Sequence, residues 1–353
     1  MHMADALLSP AVGGAMWAVT AGLTAYSAKK LKEIPDDSRV PLMGVLGAFV
    51  FAAQMINFSI PATGSSGHLG GGMILAILLG PHAAFLTLAS VLVVQALFFA
   101  DGGLLALGCN IFNMAFFPCF IAYPFIYRKI AGRYATAKTI SVAATVSAVI
   151  GLQLGAFSVV LETMASGISA LPFNAFVLLM QPIHLAIGLV EGVVTAAVVL
   201  FVWQARPEVL AMAEENAPMR GFSMKKVLAG LAAAALVTGG ALSWFASTYP
   251  DGLEWSMAKT SGSEELPAPE GGIHAALAGI QEKTAFLPDY GFRASEPEKS
   301  AGTEAETPKP ETPAAWPNPD AGTSVSGLVG GAMTLVLAAA IGMFLRRTSA
   351  ARR

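Results

Sequence analysis

The chain has 353 residues, 55% of them hydrophobic and 12% charged, with a formal net charge of −2. Soluble domains carry about 25% charged residues, so this balance, with a mean hydropathy of +0.62, excludes an ordinary soluble domain and predicts an all-α polytopic membrane protein. The near-zero net charge argues against a nucleic-acid partner.

The chain begins "MHMADALLSP". A cleavable secretory signal needs a basic n-region, yet the first basic residue is Lys29, behind the first apolar run. The N-terminus is therefore expected to be retained, and His2, too large for methionine removal, is expected to keep Met1 in place. A helix needs about 20 apolar residues to cross a bilayer. Candidate runs lie at 10–30, 40–57, 69–80, 83–100, 104–127, 138–161, 174–204, 226–247 and 325–345. The third is short and ends at Pro81, so it reads as a half-span or as one arm of a bent hairpin with the fourth. Basic clusters at Lys29, Lys30 and Lys32, at Arg128, Lys129 and Arg133, at Arg220, Lys225 and Lys226, and at Arg346 and Arg347 all fall on one side if nine runs cross. The positive-inside rule makes that side cytoplasmic. The N-terminus, the "GSSGHLGGG" loop and Asp101 are then extracytoplasmic and the C-terminus cytoplasmic. Residues 206–225 read as a cytoplasmic linker, dividing a seven-helix unit, 1–205, from a two-helix unit, 226–353. The latter carries a long extracytoplasmic loop, 249–324, whose Pro- and Glu-rich part, about 294–320, has the composition of a tether.

There is no P-loop and no H-E-x-x-H, so ATP hydrolysis and zincin-type proteolysis are not expected of this chain. Cys109 and Cys119 lack metal or redox spacing and read as small apolar side chains. Of five histidines, His82 reads as a solvated turn residue and His274 as a surface residue with an occasional part in metal capture.

His2 and His68 stand apart. A terminal amine, the amide nitrogen of residue 2 and the Nδ1 of a histidine there close a five- and a six-membered chelate ring in one plane. A fourth nitrogen, from His68 on the same side, would complete a square, which favours Ni(II) or Cu(II). Intramembrane polar residues are costly and tend to be functional. Gln54, Asn57, Gln95, Asp101, Asn110, Asn113, His184 and Glu191 are the candidates, and His184 and Glu191, seven apart, share a helix face. Each is equally readable as an interhelical hydrogen-bonding group.

"MHMADALLSP", "FAAQMINFSIPATGSSGHLGGG", "FFADGGLLALGCNIFNMAF" and "IHLAIGLVEG" together resemble the substrate-binding membrane components of nickel and cobalt energy-coupling-factor (ECF) transporters. "YPDGLEWS", 249–256, and "FLPDYGF", 286–292, resemble the small PDGLE-type accessory subunit of the nickel systems, here fused in the same chain. The resemblance implies a seven-helix bundle whose N-terminus folds back to hold the ion. Its ligands would be the Met1 amine, the amide and imidazole of His2, and His68, with Asn57, Asp101, Asn110, His184 and Glu191 as candidates to support them. It implies Ni²⁺ or Co²⁺ as transported substrate, no organic cofactor, and a place in the prokaryotic cell (inner) membrane. The partners implied are a transmembrane coupling subunit and two cytoplasmic ATPases that supply the nucleotide sites this chain lacks. The chain departs from many members at Ala4-Asp5-Ala6, so its turn after His2 is expected to differ. Two rivals are an ion-gradient-driven secondary transporter using Asp101 and the His184–Glu191 face, and a membrane metalloenzyme, which lacks a nucleophile or base near the ion.

Overall fold

The computed structural model describes residues 2–33, 36, 38–132, 135–215, 217–218, 223–293 and 316–350. A 3₁₀ turn, Asp5–Leu7, leads into α1 (Pro10–Glu33), followed by α2 (Arg39–Gln54). An antiparallel ribbon of β1 (Phe58–Ile60) and β2 (Ser65–Gly67) pairs Phe58 with Gly67 and Ile60 with Ser65. Then come α3 (Gly72–Leu79) and α4 (Pro81–Phe98). The next span, Leu107–Ala131, consists of α5 (Leu107–Ile111), a π-helical stretch (Phe112–Tyr127) and α6 (Arg128–Ala131). Pro118 and Pro124 lie inside that stretch, and each removes a backbone donor that regular α winding would use. α7 (Ala137–Ser166), α8 (Phe173–Ala205) and α9 (Pro207–Glu215) complete the first unit. The second contains α10 (Lys225–Gly240), α11 (Gly252–Ser261), α12 (Gly272–Thr284) and α13 (Ala321–Ala350).

Every apolar run of the sequence is helical. Among the described residues, five helices are long and apolar enough to cross a membrane on their own: Pro81–Phe98, Leu107–Ala131, Ala137–Ser166, Phe173–Ala205 and Ala321–Thr348, with α2 shorter. Leu178, Val193 and Phe201 of α8 remain exposed, as on a helix that faces lipid rather than water.

The eight residues of α3 reach about 12 Å, so α3 cannot cross a hydrocarbon core of about 30 Å. The half-span expectation is the accurate one. Residues 55–71 fold back into the bundle ahead of it, with Ser65 and Ser66 buried. α3 is buried along its whole length, and the chain reverses at Gly80, which packs near the carbonyl of Ala213 in α9. The basic clusters gather at that same end. Tyr26, just ahead of Lys29, packs edge-on against His82 at 5.4 Å; Arg128 pairs with Glu214; Arg39 donates to Ala217 O; Lys32 sits over the Phe344 ring. Arg133 and Arg220 lie outside the described residues. One end of the bundle is therefore basic, and the histidine pair lies at the other.

Two expectations need correction. Residues 206–225 are not merely a polar linker, since α9 buries Val209 and Ala213. The segment 249–324 is not a plain loop either, because it builds α11 and α12. α11 starts on a capping box: Asp251 Oδ1 accepts from the N–H groups of Leu253 (2.8 Å) and Glu254 (2.9 Å), and Glu254 accepts from Asp251 N at 2.9 Å. That D-x-x-E signature is legible in "PDGLE". Most of the expected tether, residues 294–315, lies outside the described residues.

Candidate metal centre

The N-terminal segment is drawn into the bundle by its backbone. Met3, fully buried, donates its N–H to Asn110 Oδ1 at 2.8 Å, and its carbonyl accepts from Asn110 Nδ2 at 3.2 Å and Gly103 N at 3.0 Å. Asn110 thus grips Met3 as a neighbouring strand would. Asp5 Oδ1 accepts from Ala106 N at 2.9 Å and fixes the turn of Asp5–Leu7. A side chain at Gly103 would have its Cβ 1.8 Å from that Asp5 oxygen, which is why glycine stands there.

His2 and His68, 66 residues apart in sequence, stack with ring centroids 5.0 Å apart and planes inclined by 26°. His2 Nδ1 lies 3.4 Å from Asp101 Oδ1, and its Nε2 lies 3.2 Å from Gln95 Oε1. Burial pulls the His2 imidazole down to a pKa of about 4, against the pull of Asp101, so the ring is neutral at pH 7. His68 Nδ1 is 3.1 Å from the carbonyl of Leu69, an oxygen that only accepts, so Nδ1 carries the proton. The other ring nitrogen, Nε2, lies 3.7 Å from Asp251 Oδ2. Each histidine thus has a carboxylate beside one ring nitrogen. Among the described residues no three His, Cys, Asp or Glu side chains form a ready-made metal cluster. Met1 lies outside the described residues.

The His68 loop is held from below by Glu191, whose two carboxylate oxygens accept from Gly70 N and Gly71 N, each at 3.0 Å. Gln54 Nε2 donates to Gly70 O at 2.8 Å, and Gln95 Nε2 donates to Gln54 Oε1 at 2.9 Å. His184 has a separate task from Glu191. Its Nδ1 donates to Met180 O at 2.8 Å. Its Nε2, without a hydrogen-bond partner among the described residues, borders a cavity of about 10 Å³ shared with His68, Asp251 and Gly252. Asn57 lies away from this cluster; its carbonyl accepts from Ser247 N at 2.7 Å, in the seam with the second unit. Deeper in the bundle, Asn113 donates to Glu162 Oε2 at 2.7 Å and also approaches Met3 Sδ at 3.7 Å.

The second unit reaches all three parts of the site. Ser66 N donates to Pro250 O at 2.8 Å, Ser66 Oγ to Tyr249 O at 2.7 Å, and Trp255 Nε1 to Thr63 O at 3.0 Å, clamping the ribbon ahead of His68. Tyr290 donates its hydroxyl to Asp101 Oδ2, and burial and the Asp101 charge raise the pKa of that phenol. Gln281 Nε2 donates to Ala96 O (2.8 Å) and Gly102 O (2.7 Å). His274 is not a surface residue. It is buried, and its Nε2 donates to Leu8 O at 2.8 Å. His82 is likewise half-buried, between Tyr26 and Phe120, because Pro81 starts α4 instead of a solvated turn. Asp251, Tyr290 and His274 were not legible as site neighbours; only the capping box around Asp251 hinted at an ordered start to that segment.

A family model described as the cobalt uptake substrate-specific transmembrane region matches residues 2–209, and a PDGLE domain model matches residues 225–347. A chain from Archaeoglobus fulgidus named for fused nickel transport, NikMN, is 32% identical over 346 residues, 98% of this chain and 99% of its own. The fused nickel transport protein NikMN of Rhodobacter capsulatus is 29% identical, covering 82% and 88%. The cobalt transport protein CbiM of Geobacter sulfurreducens is 30% identical, covering 60% and 62%. A crystal structure described as a truncated transition metal transporter is similar with a TM-score of 0.52 at 32% identity, over 58% of this chain and 99% of its own.

Proposed function

The chain belongs to the nickel and cobalt transport family of the cobalt uptake substrate-specific transmembrane region, fused to a PDGLE domain, and from that premise we propose that it captures Ni²⁺ or Co²⁺ for ATP-driven uptake. The observation that carries the reading is the stacked pair of His2 and His68, each with a carboxylate against the nitrogen it offers. In this reading the Met1 amine, the His2 amide nitrogen, His2 Nδ1 and His68 Nε2 hold the ion in a square plane. Nickel is favoured by that donor set and by the names of the fused relatives.

The histidine end faces the extracytoplasmic side and the basic end the cytoplasm of a prokaryotic cell, following the positive-inside rule. The chain acts as a binding component rather than an enzyme. A transmembrane coupling subunit and two ATPases drive release, as ECF systems do. Residues 1–205 form the capture unit, 206–225 join it to the rest, and 226–353 are an accessory unit that bears on the site through segment 249–324.

The test is calorimetric titration of the purified full chain with Ni²⁺ and Co²⁺. His2→Ala and His68→Ala are expected to lose stoichiometric binding, as is a chain with one residue added before Met1. Retained tight binding in all three would refute the site. Uptake that persists in cells without the ATPase subunits would favour a gradient-driven carrier instead.

A further inference from the structure

We propose that Gln54 and Gln95 are positioning residues that decide which nitrogen of His2 is offered to the ion. The order of donors along the chain of hydrogen bonds is forced from its far end. Gly70 O is a carbonyl and only accepts, so the Gln54 atom 2.8 Å from it is the amide nitrogen. Gln54 Oε1 then faces Gln95 and only accepts, so Gln95 presents its own nitrogen there, at 2.9 Å. That leaves Gln95 Oε1 facing His2 Nε2 at 3.2 Å. Two acceptors cannot bond, so Nε2 carries the proton. The form that binds a metal is the neutral imidazole, which has one N–H; with that N–H on Nε2, Nδ1 is bare. Both amides are buried and away from competing water. The anchor does not turn either, because the N–H of Gly70 is held by Glu191 at 3.0 Å.

The relay has an opponent. Asp101 Oδ1 sits 3.4 Å from His2 Nδ1, and a carboxylate there favours the other tautomer, with the proton on Nδ1. Asp101 cannot readily swing away, because Tyr290 holds its other oxygen. Without Gln95 to accept from Nε2, Asp101 would draw the proton onto the one nitrogen that can close a chelate ring with the residue 2 amide. The relay keeps that lone pair open. It also links the two histidines, since its anchor lies two residues beyond His68. Metal-binding histidines usually have the remaining N–H fixed by a partner; here the partner is chosen by a backbone carbonyl two amides away.

The tautomer assignment stands on hydrogen bonding alone, whereas its effect on affinity rests on His2 being a ligand, so two measurements separate them. The first is ¹⁵N NMR of the metal-free full chain labelled at histidine. His2 is expected to be protonated at Nε2 in the parent and at Nδ1 in Gln95→Leu. An Nδ1–H parent overturns the relay. The second is Ni²⁺ titration. Gln95→Leu is expected to weaken binding about 10- to 100-fold, and Gln54→Leu to weaken it less. Gln153→Leu, which removes an amide bonded to Gln181 O and outside the relay, is expected to bind as the parent does. Equal losses in all three would assign the effect to general loosening and overturn the proposal. A switched tautomer with unchanged Ni²⁺ affinity would overturn its role in binding. Loss of the ligand role itself would show separately, as tight binding by His2→Ala.

Discussion

His274 Nε2 donates to the carbonyl of Leu8 at 2.8 Å, across 266 residues of sequence. It ties the second unit to the short segment that carries His2, just ahead of α1. His274 is 5% exposed, and a buried carbonyl deprived of its donor costs about 1–3 kcal/mol. His274→Ala is therefore expected to loosen residues 3–8 without unfolding the bundle. Hydrogen exchange should show faster exchange at Met3 and Leu7 than in the parent, and Ni²⁺ affinity should fall about three- to tenfold, for a cost near 1 kcal/mol. Unchanged exchange there would refute the tether.

The pairing of Asp101 with Tyr290 makes a second point testable. Asp101 offers an anionic oxygen beside His2 Nδ1. In Asp101→Asn an amide N–H can take that place, donate to the imidazole lone pair and block it. The substitution is isosteric, so its effect is electronic: an N–H held against the lone pair blocks it outright, where the carboxylate only competes for its proton, and Ni²⁺ affinity is expected to fall at least about tenfold. Tyr290→Phe removes only the hydroxyl that holds the carboxylate and puts no N–H against the lone pair, so affinity is expected to stay within about threefold of the parent. Titration calorimetry on both variants checks the ranking, and Asn binding as tightly as Asp would refute it.

Helices at nearly the right limits were legible because each is a run of apolar residues bounded by charge or proline. That His2 and His68 come together was legible from the proposed chelate, which calls for a histidine at position two and a partner in a glycine loop. The partners of those histidines were not. Gln54 and Gln95 look like any intramembrane amides until their order of donors is traced to Gly70. His274, in a stretch as mild as "GGIHAALAGI", carries no sign of burial, since the partner is a backbone carbonyl common to every residue type. The helices in 249–324 were missed because charge and proline dominate the composition there, and a local capping box outweighed it.

Gly71 begins α3 in the left-handed region, at φ +71°, and a Cβ there would lie 2.5 Å from Val50 Cγ1. Gly71→Ala meets both penalties, about 1–2 kcal/mol for the conformation and about 1–3 kcal/mol for overpacking. The same N–H is bonded to Glu191, so the strain falls on the loop that carries His68. A fall in melting temperature of several degrees is expected in detergent, together with weaker Ni²⁺ binding. An alanine variant as stable as the parent would show that this turn is softer than its geometry implies.

The accessory unit also predicts a pH dependence. Burial and the neighbouring Asp251 charge push Glu254 up to about 7 from an ordinary 4.5. A carboxyl with a raised pKa in the folded state contributes stability that is fully present below pH 4.5 and is lost as pH rises toward 7, because the unfolded chain ionises first. His2, held down to about 4, works in the opposite sense: its contribution falls as pH drops from 6.5 toward 4. Between pH 4.5 and 6.5 these two contributions oppose one another. Glu254→Gln keeps an oxygen for the Asp251 N–H but cannot ionise, which leaves the His2 slope uncovered. Melting of the metal-free variant should then rise with pH across that window more steeply than the parent's. A variant whose melting curve ran parallel to the parent's would rule out a buried, proton-holding Glu254.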